Sequence, residues 1–408
     1  MPNLATISKC TGCLSCYDIC RHHAISIVLK NGFLYPEINR SRCVDCHLCE
    51  KACPIVTQQR KNKVEDMRVY GGWAKDIKTR INGASGGSFG GLAQSYIKAH
   101  SGQVSVYGAA LVENNVRHER ITTCEEISLL MNSKYIQSST EGIYKKVSLD
   151  LSNGMWVLFS GTPCQVAALY AYLGKERENK RLLTIEVVCH GVASKEALDI
   201  HLQHFHSNQI YSFRNKLNGQ YYFTSECTTI EQNDKPYCLK REDDVFYKIY
   251  AGWLLDRKSC SNCQYSTLNR VADISLADFW GGVRDTAEYD KGVNVIVANN
   301  QKSDAFIRKA ADVELYGSTL NKAISGNPHF YCGFKYIRYH PIVLWPRVFR
   351  RVLPRRIWIQ IITNQMPWKL IWGVYKVTTI IHNKMKYKQV RKKYADILDK
   401  WMSGEEKY

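Results

Sequence analysis

Apolar residues in the middle of the chain form short runs that alternate with amphipathic stretches. Two apolar runs have the length of a strand: residues 155–159 (Met-Trp-Val-Leu-Phe) and residues 182–188. A helical pattern follows each run, from Gln165 to Leu173 and from Lys195 to Phe205. A strand–helix–strand–helix order predicts parallel strands joined by a right-handed crossover. We therefore expect an α/β fold for the central part of the chain.

Cysteines follow the carboxyl ends of both predicted strands. Cys164 lies where Thr162 and Gln165 predict a helix-capping box, and Cys189 directly follows the second strand. Because the carboxyl ends of neighbouring parallel strands meet at the edge where open α/β sheets bind ligands, we expect both thiols at one site. The positive end of the helix should also favour the thiolate form of Cys164.

The 408-residue chain contains 16 cysteines, and eight of them form two runs near its beginning. The runs share the spacing Cys-x2-Cys-x2-Cys-x3-Cys and comprise Cys10, Cys13, Cys16 and Cys20, then Cys43, Cys46, Cys49 and Cys53. Three thiolates at this spacing bind three corners of a 4Fe-4S cluster, and the fourth binds the cluster of the other run. We expect one cluster on Cys10, Cys13, Cys16 and Cys53, and a second on Cys43, Cys46, Cys49 and Cys20.

Between the runs, the residue pair Asn31-Gly32 separates two apolar segments and predicts a hairpin. The spacing and the hairpin resemble those of bacterial two-cluster ferredoxins, although Arg21 stands where those proteins usually have proline. The alternative is a pair of structural zinc sites, which would not require a repeated four-cysteine run. Residues 1–57 are therefore predicted as a two-cluster ferredoxin domain, followed by a linker at residues 58–68.

A further pair, Cys260-x2-Cys263, can supply two more thiolates beside Cys164 and Cys189. Together the four would suit a third 4Fe-4S cluster, and the alternative is free buried thiols with a small zinc hook. In a cytosolic chain we expect cysteines to serve metal or redox chemistry rather than disulfides. The cysteines without partner spacing are predicted to be plain buried thiols: Cys124, Cys227, Cys238 and Cys332.

Several separate motifs stand in the order found in one known family. They are Ser133-Lys134-Tyr135, residues 161–165, residues 189–192, Cys260-x2-Cys263 and residues 272–281. Together they resemble the beta subunit of coenzyme F-420 hydrogenase/dehydrogenase, a family that includes plant 7-hydroxymethyl chlorophyll a reductase, over roughly residues 1–300. The resemblance implies FAD and a 4Fe-4S cluster in the central domain, predicted at residues 69–334.

The resemblance also directs attention to a loop of small residues, 83–91, that enters a predicted helix. Its backbone N–H groups, with the hydroxyls of Ser85 and Ser88, are predicted to bind the flavin pyrophosphate, and the alternative is a tight turn with close packing. Arg214 and Lys216 are further cations for cofactor or substrate anions, although such side chains are usually solvated. The predicted cofactor-binding residues are Ser85, Gly86, Gly87, Ser88, Lys134 and Asp278.

Two weaker candidates have plain alternatives. Asp278 follows a predicted strand and is as readily a turn residue as a ligand contact. His201 and His204 share a helix face and His206 lies nearby, but no carboxylate or cysteine completes a metal-binding set.

Positive charge is concentrated at the carboxyl end. Of the net charge of +19, residues 335–408 carry +13, together with five of the nine tryptophans. After Pro367 an apolar stripe at helical spacing predicts an amphipathic helix, which suits peripheral binding to an anionic membrane surface. The alternative is packing on the body or on another subunit. No recognition motif supports nucleic acid, which is not expected as a partner.

Composition and hydropathy indicate the class of protein. With 45% hydrophobic and 23% charged residues the chain is expected to be globular, and it shows neither a secretory signal nor an 18-residue apolar run. We expect a cytoplasmic protein, with the tail at the inner membrane face.

The expected function is that of an iron–sulfur flavoprotein oxidoreductase. It would pass electrons from a ferredoxin-like donor through clusters to FAD and on to a small organic substrate, or the reverse. The alternative is a non-catalytic electron-transfer subunit of a larger redox complex.

Overall fold

The computed structural model describes residues 2–59, 61–219, 226–252, 255–282 and 285–331. Its strands are β1 (Ile25–Lys30), β2 (Phe33–Ile38), β3 (Arg68–Ala74), β4 (Val104–Val112), β5 (Asn115–Ile121), β6 (Ser138–Ser139), β7 (Trp156–Gly161), β8 (Leu182–Val187), β9 (Ile210–Lys216), β10 (Glu226–Gln232), β11 (Lys235–Lys240), β12 (Ile274–Asp278), β13 (Asn294–Ala298) and β14 (Val313–Ser318). Its α-helices are α1 (Ser15–Asp18), α2 (Leu48–Lys51), α3 (Ile77–Asn82), α4 (Ser88–Ala99), α5 (Ile127–Leu130), α6 (Ile143–Ser152), α7 (Pro163–Leu173), α8 (Lys195–His204), α9 (Val245–Ala251), α10 (Gln301–Lys309) and α11 (Leu320–Gly326).

A nine-stranded mixed sheet forms the centre of the body, in the order β14-β3-β13-β12-β8-β7-β4-β5-β6. Its four middle strands, β12, β8, β7 and β4, are mutually parallel, so their carboxyl ends share one edge. The capping box of Thr162 and Gln165 starts α7, with Pro163 in its first turn. The predicted α/β class and the parallel pairing of β7 with β8 are therefore confirmed.

Helices cover both faces of this sheet because successive side chains of a strand point to opposite sides. In β7, Val157 and Phe159 pack with α6 and α7, whereas Leu158 packs with α4 on the other face. All three side chains are fully buried. Their burial on both faces explains why this segment is a continuous apolar run rather than an alternating one.

The first part of the chain forms a small head that packs against the body. β1 and β2 form the predicted antiparallel hairpin, with Asn31 and Gly32 in the left-handed conformation that its tight turn requires. The segment predicted as a linker is attached to the body, since the Asn62 amide donates to the carbonyls of Arg270 and Ala272. The basic tail, residues 335–408, and Cys332 lie outside the described residues. Within those residues, no helix has the length and apolarity needed to cross a bilayer.

A second, three-stranded sheet, in the order β11-β10-β9, packs with α8 and α9 beside the main body. Here one expectation from the sequence is wrong. Cys227 and Cys238 are not free thiols but form a disulfide, with their Cα atoms 5.7 Å apart. The antiparallel pairing of β10 with β11 sets Cys238 opposite Thr229, two residues along the strand from Cys227, and so brings the two sulfurs together. The chain therefore uses two of its cysteines for a bridge.

The disulfide can be tested by thiol labelling. After denaturation without reductant, Cys227 and Cys238 should resist alkylation and appear as one linked peptide in mass spectrometry, whereas the partly buried Cys124 should be labelled. Labelling of both cysteines without prior reduction would contradict the bridge.

Candidate functional site

A cavity of about 1010 Å³ lies at the carboxyl edge of the parallel strands, between the head and the body. Thr11 and Gly12 of the head line one part of it, and Gly83 and Gly87 of the small-residue loop line another. This volume is at the upper end of the range usual for small-molecule sites. The position agrees with the rule that open α/β sheets bind ligands at the carboxyl ends of their strands.

The four body cysteines all line this cavity. Cys164 lies in the first turn of α7, with its sulfur 3.1 Å from the Thr162 hydroxyl, and Cys189 follows β8 and accepts a hydrogen bond from the Gly191 N–H at 3.4 Å. Cys260 and Cys263 flank a single 3-10 turn. Three separate segments of the chain thus bring together the four cysteines singled out from the sequence.

Burial governs the protonation of these thiols. It raises the pKa of Cys164 to about 11, and it also raises the pKa of Cys189 and Cys260, with the charges of neighbouring cysteines adding to each shift. The start of α7 favours the thiolate of Cys164, as predicted, but loss of hydration outweighs this effect in the metal-free site. If all four cysteines were thiolates, their mutual repulsion would require a positively charged group among them.

The two cysteine runs of the head adopt matching local structures. In each run the residue after the second cysteine, Leu14 or His47, is left-handed and leads into a one-turn helix, α1 or α2. Cys46 is exposed, whereas Cys13 and Cys16 are buried. The repeat in sequence is therefore a repeat in structure.

Electrostatic coupling among the head cysteines agrees with the predicted grouping. Burial raises the pKa of Cys13, and the charges of Cys53 and Cys10 raise it further. Burial likewise raises the pKa of Cys49 to about 11, with Cys20 among the charges that add to the shift. Cys53 therefore lies near Cys13 of the first run, and Cys20 lies near Cys49 of the second.

The inner side of the head is fixed to the body by hydrogen bonds to its backbone. The Gln137 amide donates to the Gly12 carbonyl at 2.8 Å, and the Thr140 hydroxyl donates to the Cys13 carbonyl at 2.7 Å. Gly12 has a φ of +67°, and a Cβ there would lie 2.3 Å from the Gln137 side-chain nitrogen. A side chain at this position would therefore both strain the backbone and push the head away from the body.

Tyr265 connects the head to the body cysteines. It follows the Cys260–Cys263 turn, and its hydroxyl donates to the Pro54 carbonyl of the head at 3.4 Å. Burial raises its pKa, and the charges of Cys164 and Cys13 raise it further. We call the run from Cys10 to Cys20 the inner run, because Cys13 packs against the body, and the run from Cys43 to Cys53 the outer run. The inner run and the body cysteines thus lie near the same aromatic ring.

The small-residue loop differs from its predicted role. The Ser85 hydroxyl donates to the Val293 carbonyl at 2.6 Å, and the Ser88 hydroxyl donates to the Gly72 carbonyl at 3.1 Å, so neither is directed into the cavity. Gly86 likewise does not belong to the cavity wall, which this loop supplies through Gly83, Ala84, Gly87, Phe89 and Gly90. The serines serve loop packing, because buried hydroxyls need acceptors within the protein.

The charged candidates divide into two groups. Lys134 lines the cavity and donates to the Met131 carbonyl, and burial lowers its pKa to about 7. Among the described residues no carboxylate pairs with it. Lys216 does not line the cavity, but donates to the carbonyls of Arg80 and Ser85 and so holds the loop in place.

Asp278 is a cavity residue at the end of β12. Its carboxylate pairs with Arg214 at 3.2 Å, and Arg214 also binds Glu226 at 2.7 Å. Burial opposes ionisation of Asp278, but the guanidinium outweighs it and lowers the pKa of the carboxyl. The Asp278–Arg214 pair therefore presents a balanced charge to the cavity.

The histidines on α8 do not form a metal site. The His201 imidazole is buried, lies 3.5 Å from the Asp244 carboxylate and packs against Phe205. In the part of the chain that the structure describes, no three His, Cys, Asp or Glu side chains are arranged to hold a single metal ion. A binuclear or larger cluster spreads its ligands further apart than one ion does, so this finding concerns single-ion sites only.

Sequence reasoning missed a buried ion pair at the cavity. Arg270 is 2% exposed and pairs with Glu186 of β8, yet its Nη2 atom has no hydrogen-bond partner among the described residues. The sequence does contain a signal for this pair, because Glu186 is the lone carboxylate inside an apolar strand and such a group needs a buried cation.

His190 was also overlooked, although it lines the cavity and stacks on His329 with ring centroids 3.8 Å apart.

Comparison with known proteins supports the two-part organisation. Residues 9–56 match the 4Fe-4S dicluster domain, and residues 154–318 match the C terminus of the beta subunit of coenzyme F420 hydrogenase/dehydrogenase. No curated protein matches the chain. Among solved structures, it is similar to a chain of the F420-reducing NiFe hydrogenase complex from Methanosarcina barkeri, with 15% identity and a TM-score of 0.43 over 64% of this chain and 83% of that chain. The chain therefore combines a 4Fe-4S dicluster domain, typical of iron–sulfur electron-transfer proteins, with a region similar to the C-terminal domain of the coenzyme F420 hydrogenase/dehydrogenase beta subunit.

Proposed function

We propose that the chain is an iron–sulfur flavoprotein oxidoreductase. Electrons from a ferredoxin-like donor enter at the head clusters and pass through a third 4Fe-4S cluster and FAD to a small organic substrate, or travel the reverse way. The observation that carries this proposal is the single cavity that extends from Thr11 and Gly12 of the head, past the body cysteines, to Gly87. One cavity thus adjoins the first cysteine run of the head, the body cysteines and the small-residue loop.

The body cysteines fit a third cluster. Cys164, Cys189, Cys260 and Cys263 supply the four sulfur ligands that a 4Fe-4S cluster takes, from half-buried positions on the cavity wall. Arg270, which pairs with Glu186, lines the same cavity. A cluster there would exchange single electrons.

The rest of the cavity fits a flavin nucleotide. Lys134 supplies a cation without a carboxylate partner among the described residues, as a pyrophosphate site requires, and Gly83 and Gly87 line the same cavity. Tyr135 and Tyr250, whose rings stack 4.2 Å apart, supply an aromatic wall. FAD would supply the ability to exchange single electrons with clusters and hydride with an organic molecule.

The exposure of the cysteines separates an accessible end of the proposed electron path from a buried end. Cys46 is exposed on the outer run, so the outer side of the head suits contact with a donor protein. Cys13 on the inner run is buried against the body, and Tyr265 lies near both Cys13 and Cys164. Burial keeps water away from the inner centres, while the outer centre stays accessible.

Metal and flavin analysis after anaerobic purification tests the proposal. We expect about twelve irons and one FAD per chain in the wild type, and about eight irons in Cys164→Ala, because one four-iron cluster loses a ligand. Cys124→Ala removes a partly buried cysteine outside these groups and should keep about twelve. Full iron in Cys164→Ala would show that the ligand assignment is wrong, and absence of flavin from the wild type would contradict the flavoprotein.

The cation in the cavity can be tested through its pKa. In the flavin-free protein, burial lowers the pKa of Lys134 to about 7, whereas an unfolded lysine titrates near pH 10.4. Between these values the unfolded state holds the extra proton, so this lysine makes the free energy of unfolding rise with pH. Lys134→Met should be most stabilising near pH 7, and its advantage should shrink towards pH 10, by at most about 1.4 kcal/mol per pH unit.

Urea unfolding of the flavin-free wild type and variant at several pH values measures this difference. Lys30→Met, which removes an exposed lysine, is the matched control and should track the wild type. A constant difference between Lys134→Met and the wild type across the whole pH range would count against a buried cation.

Turnover separates the enzyme from its alternative. We expect the purified chain, supplied with a reduced viologen as one-electron donor, to reduce an organic acceptor without another protein, because the body cysteines and the proposed flavin site share one cavity. Turnover that requires an added partner protein would instead identify a non-catalytic electron-transfer subunit.

A further inference from the structure

Arg257 of the body lies at the contact with the head. It is 1% exposed, its backbone carbonyl accepts a hydrogen bond from the Cys260 N–H, and its side chain lines the cavity. Its guanidinium stands over the Tyr35 ring of the head hairpin, 4.1 Å from the centroid. The residue therefore reaches from the segment that carries the body cysteines into the ferredoxin domain.

The guanidinium makes three hydrogen bonds, two of them across this boundary. Its Nε donates to the Cys10 carbonyl at 2.9 Å, one terminal nitrogen donates to the Gln137 side-chain oxygen at 2.9 Å, and the other donates to the Cys10 sulfur at 3.7 Å. Within the described ranges no carboxylate forms an ion pair with Arg257. It is thus a buried cation whose polar partners are neutral groups and one sulfur.

A buried charge without a counter-ion is strongly unfavourable, so an anion is expected beside it. The group in contact is Cys10, the first cysteine of the inner run. As a thiolate within a 4Fe-4S cluster it belongs to a group with a net charge of about −2, which would balance the guanidinium.

The outer run presents the opposite charge at the equivalent position. Cys43, the first cysteine of that run, has its sulfur 3.6 Å from the Asp45 carboxylate. A cation beside a cluster stabilises the reduced, more negative state, and an anion destabilises it. The first cysteine of each run therefore has a side chain of opposite charge beside it, Arg257 at Cys10 and Asp45 at Cys43.

We propose that Arg257 is the counter-ion and hydrogen-bond donor of the inner head cluster, and that with Asp45 at the outer cluster it sets the reduction potential of the inner cluster above that of the outer one. This inference rests on the ligand grouping proposed above for the head. Arg257 acts as a positioning residue: it joins head to body and favours electrons on the cluster nearer the cavity.

Redox titration of the complete protein, followed by electron paramagnetic resonance, tests the inference. In Arg257→Gln the couple of the inner head cluster should move to lower potential by at least a tenfold change in its reduction equilibrium, about 59 mV for one electron, with the outer head couple unchanged. A smaller shift in the same direction is expected for the couple at the body cysteines, because the charge of Arg257 also acts on Cys164. In Asp45→Asn a different couple should move to higher potential. Lys30→Gln, which removes an exposed cation of the head, should shift none.

Iron content separates tuning from loss of structure. Unchanged iron with no shifted couple in Arg257→Gln would overturn the inference, and so would an equal shift in Lys30→Gln. If Arg257→Gln loses iron, Arg257→Lys is the deciding variant. Retained iron and a potential near that of the wild type in Arg257→Lys would support the role of the positive charge. Loss of iron in this variant too would overturn the inference. A wild type without flavin or a third cluster would contradict the proposed function but leave this test intact, because it concerns the head clusters.

Discussion

Parallel pairing of β7, β8 and β12 is the constraint on which the rest of the site depends. Because the three strands run in one direction, the chain leaves each of them at the same edge of the sheet. Cys164, Cys189 and Asp278, far apart in sequence, meet there, and the loop before β12 brings Cys260 and Cys263 to the same edge. The head covers this edge, so the cavity is closed by a second domain rather than by the sheet alone.

Charge is the second organising factor, and it changes once cofactors are considered. Residues 1–334 hold only +6 of the net +19, because the tail carries the remainder. Three oxidised clusters with their thiolates would bring about −6 and a flavin pyrophosphate about −2, which would leave the loaded body near −2. Lys134 and Arg257, which pair with no carboxylate among the described residues, are consistent with a protein that balances its charge with bound groups.

The success of sequence reasoning depended on whether a signal was local. The cysteine spacing of the head, the Asn31-Gly32 turn and the capping box of α7 each depend on a few consecutive residues, and each is present as predicted. The roles of Ser85 and Ser88 were wrong, because which carbonyl a buried hydroxyl meets depends on strands far away in the chain. The Cys227–Cys238 bridge escaped notice for a similar reason, since the hairpin register rather than the spacing brings the sulfurs together.

The sequence by itself determined which chemistry the chain carries: the cysteine runs specify iron–sulfur clusters because their spacing matches the corners of a cube. It also determined the α/β class, because apolar runs and helical stretches alternate. Only the tertiary structure decided how the centres are arranged and which charges surround them. Arg257 reaches Cys10 across 247 positions of the chain, and Lys134 loses its hydration inside a cavity formed by two domains. Such contacts depend on packing between distant segments, which residue spacing does not encode.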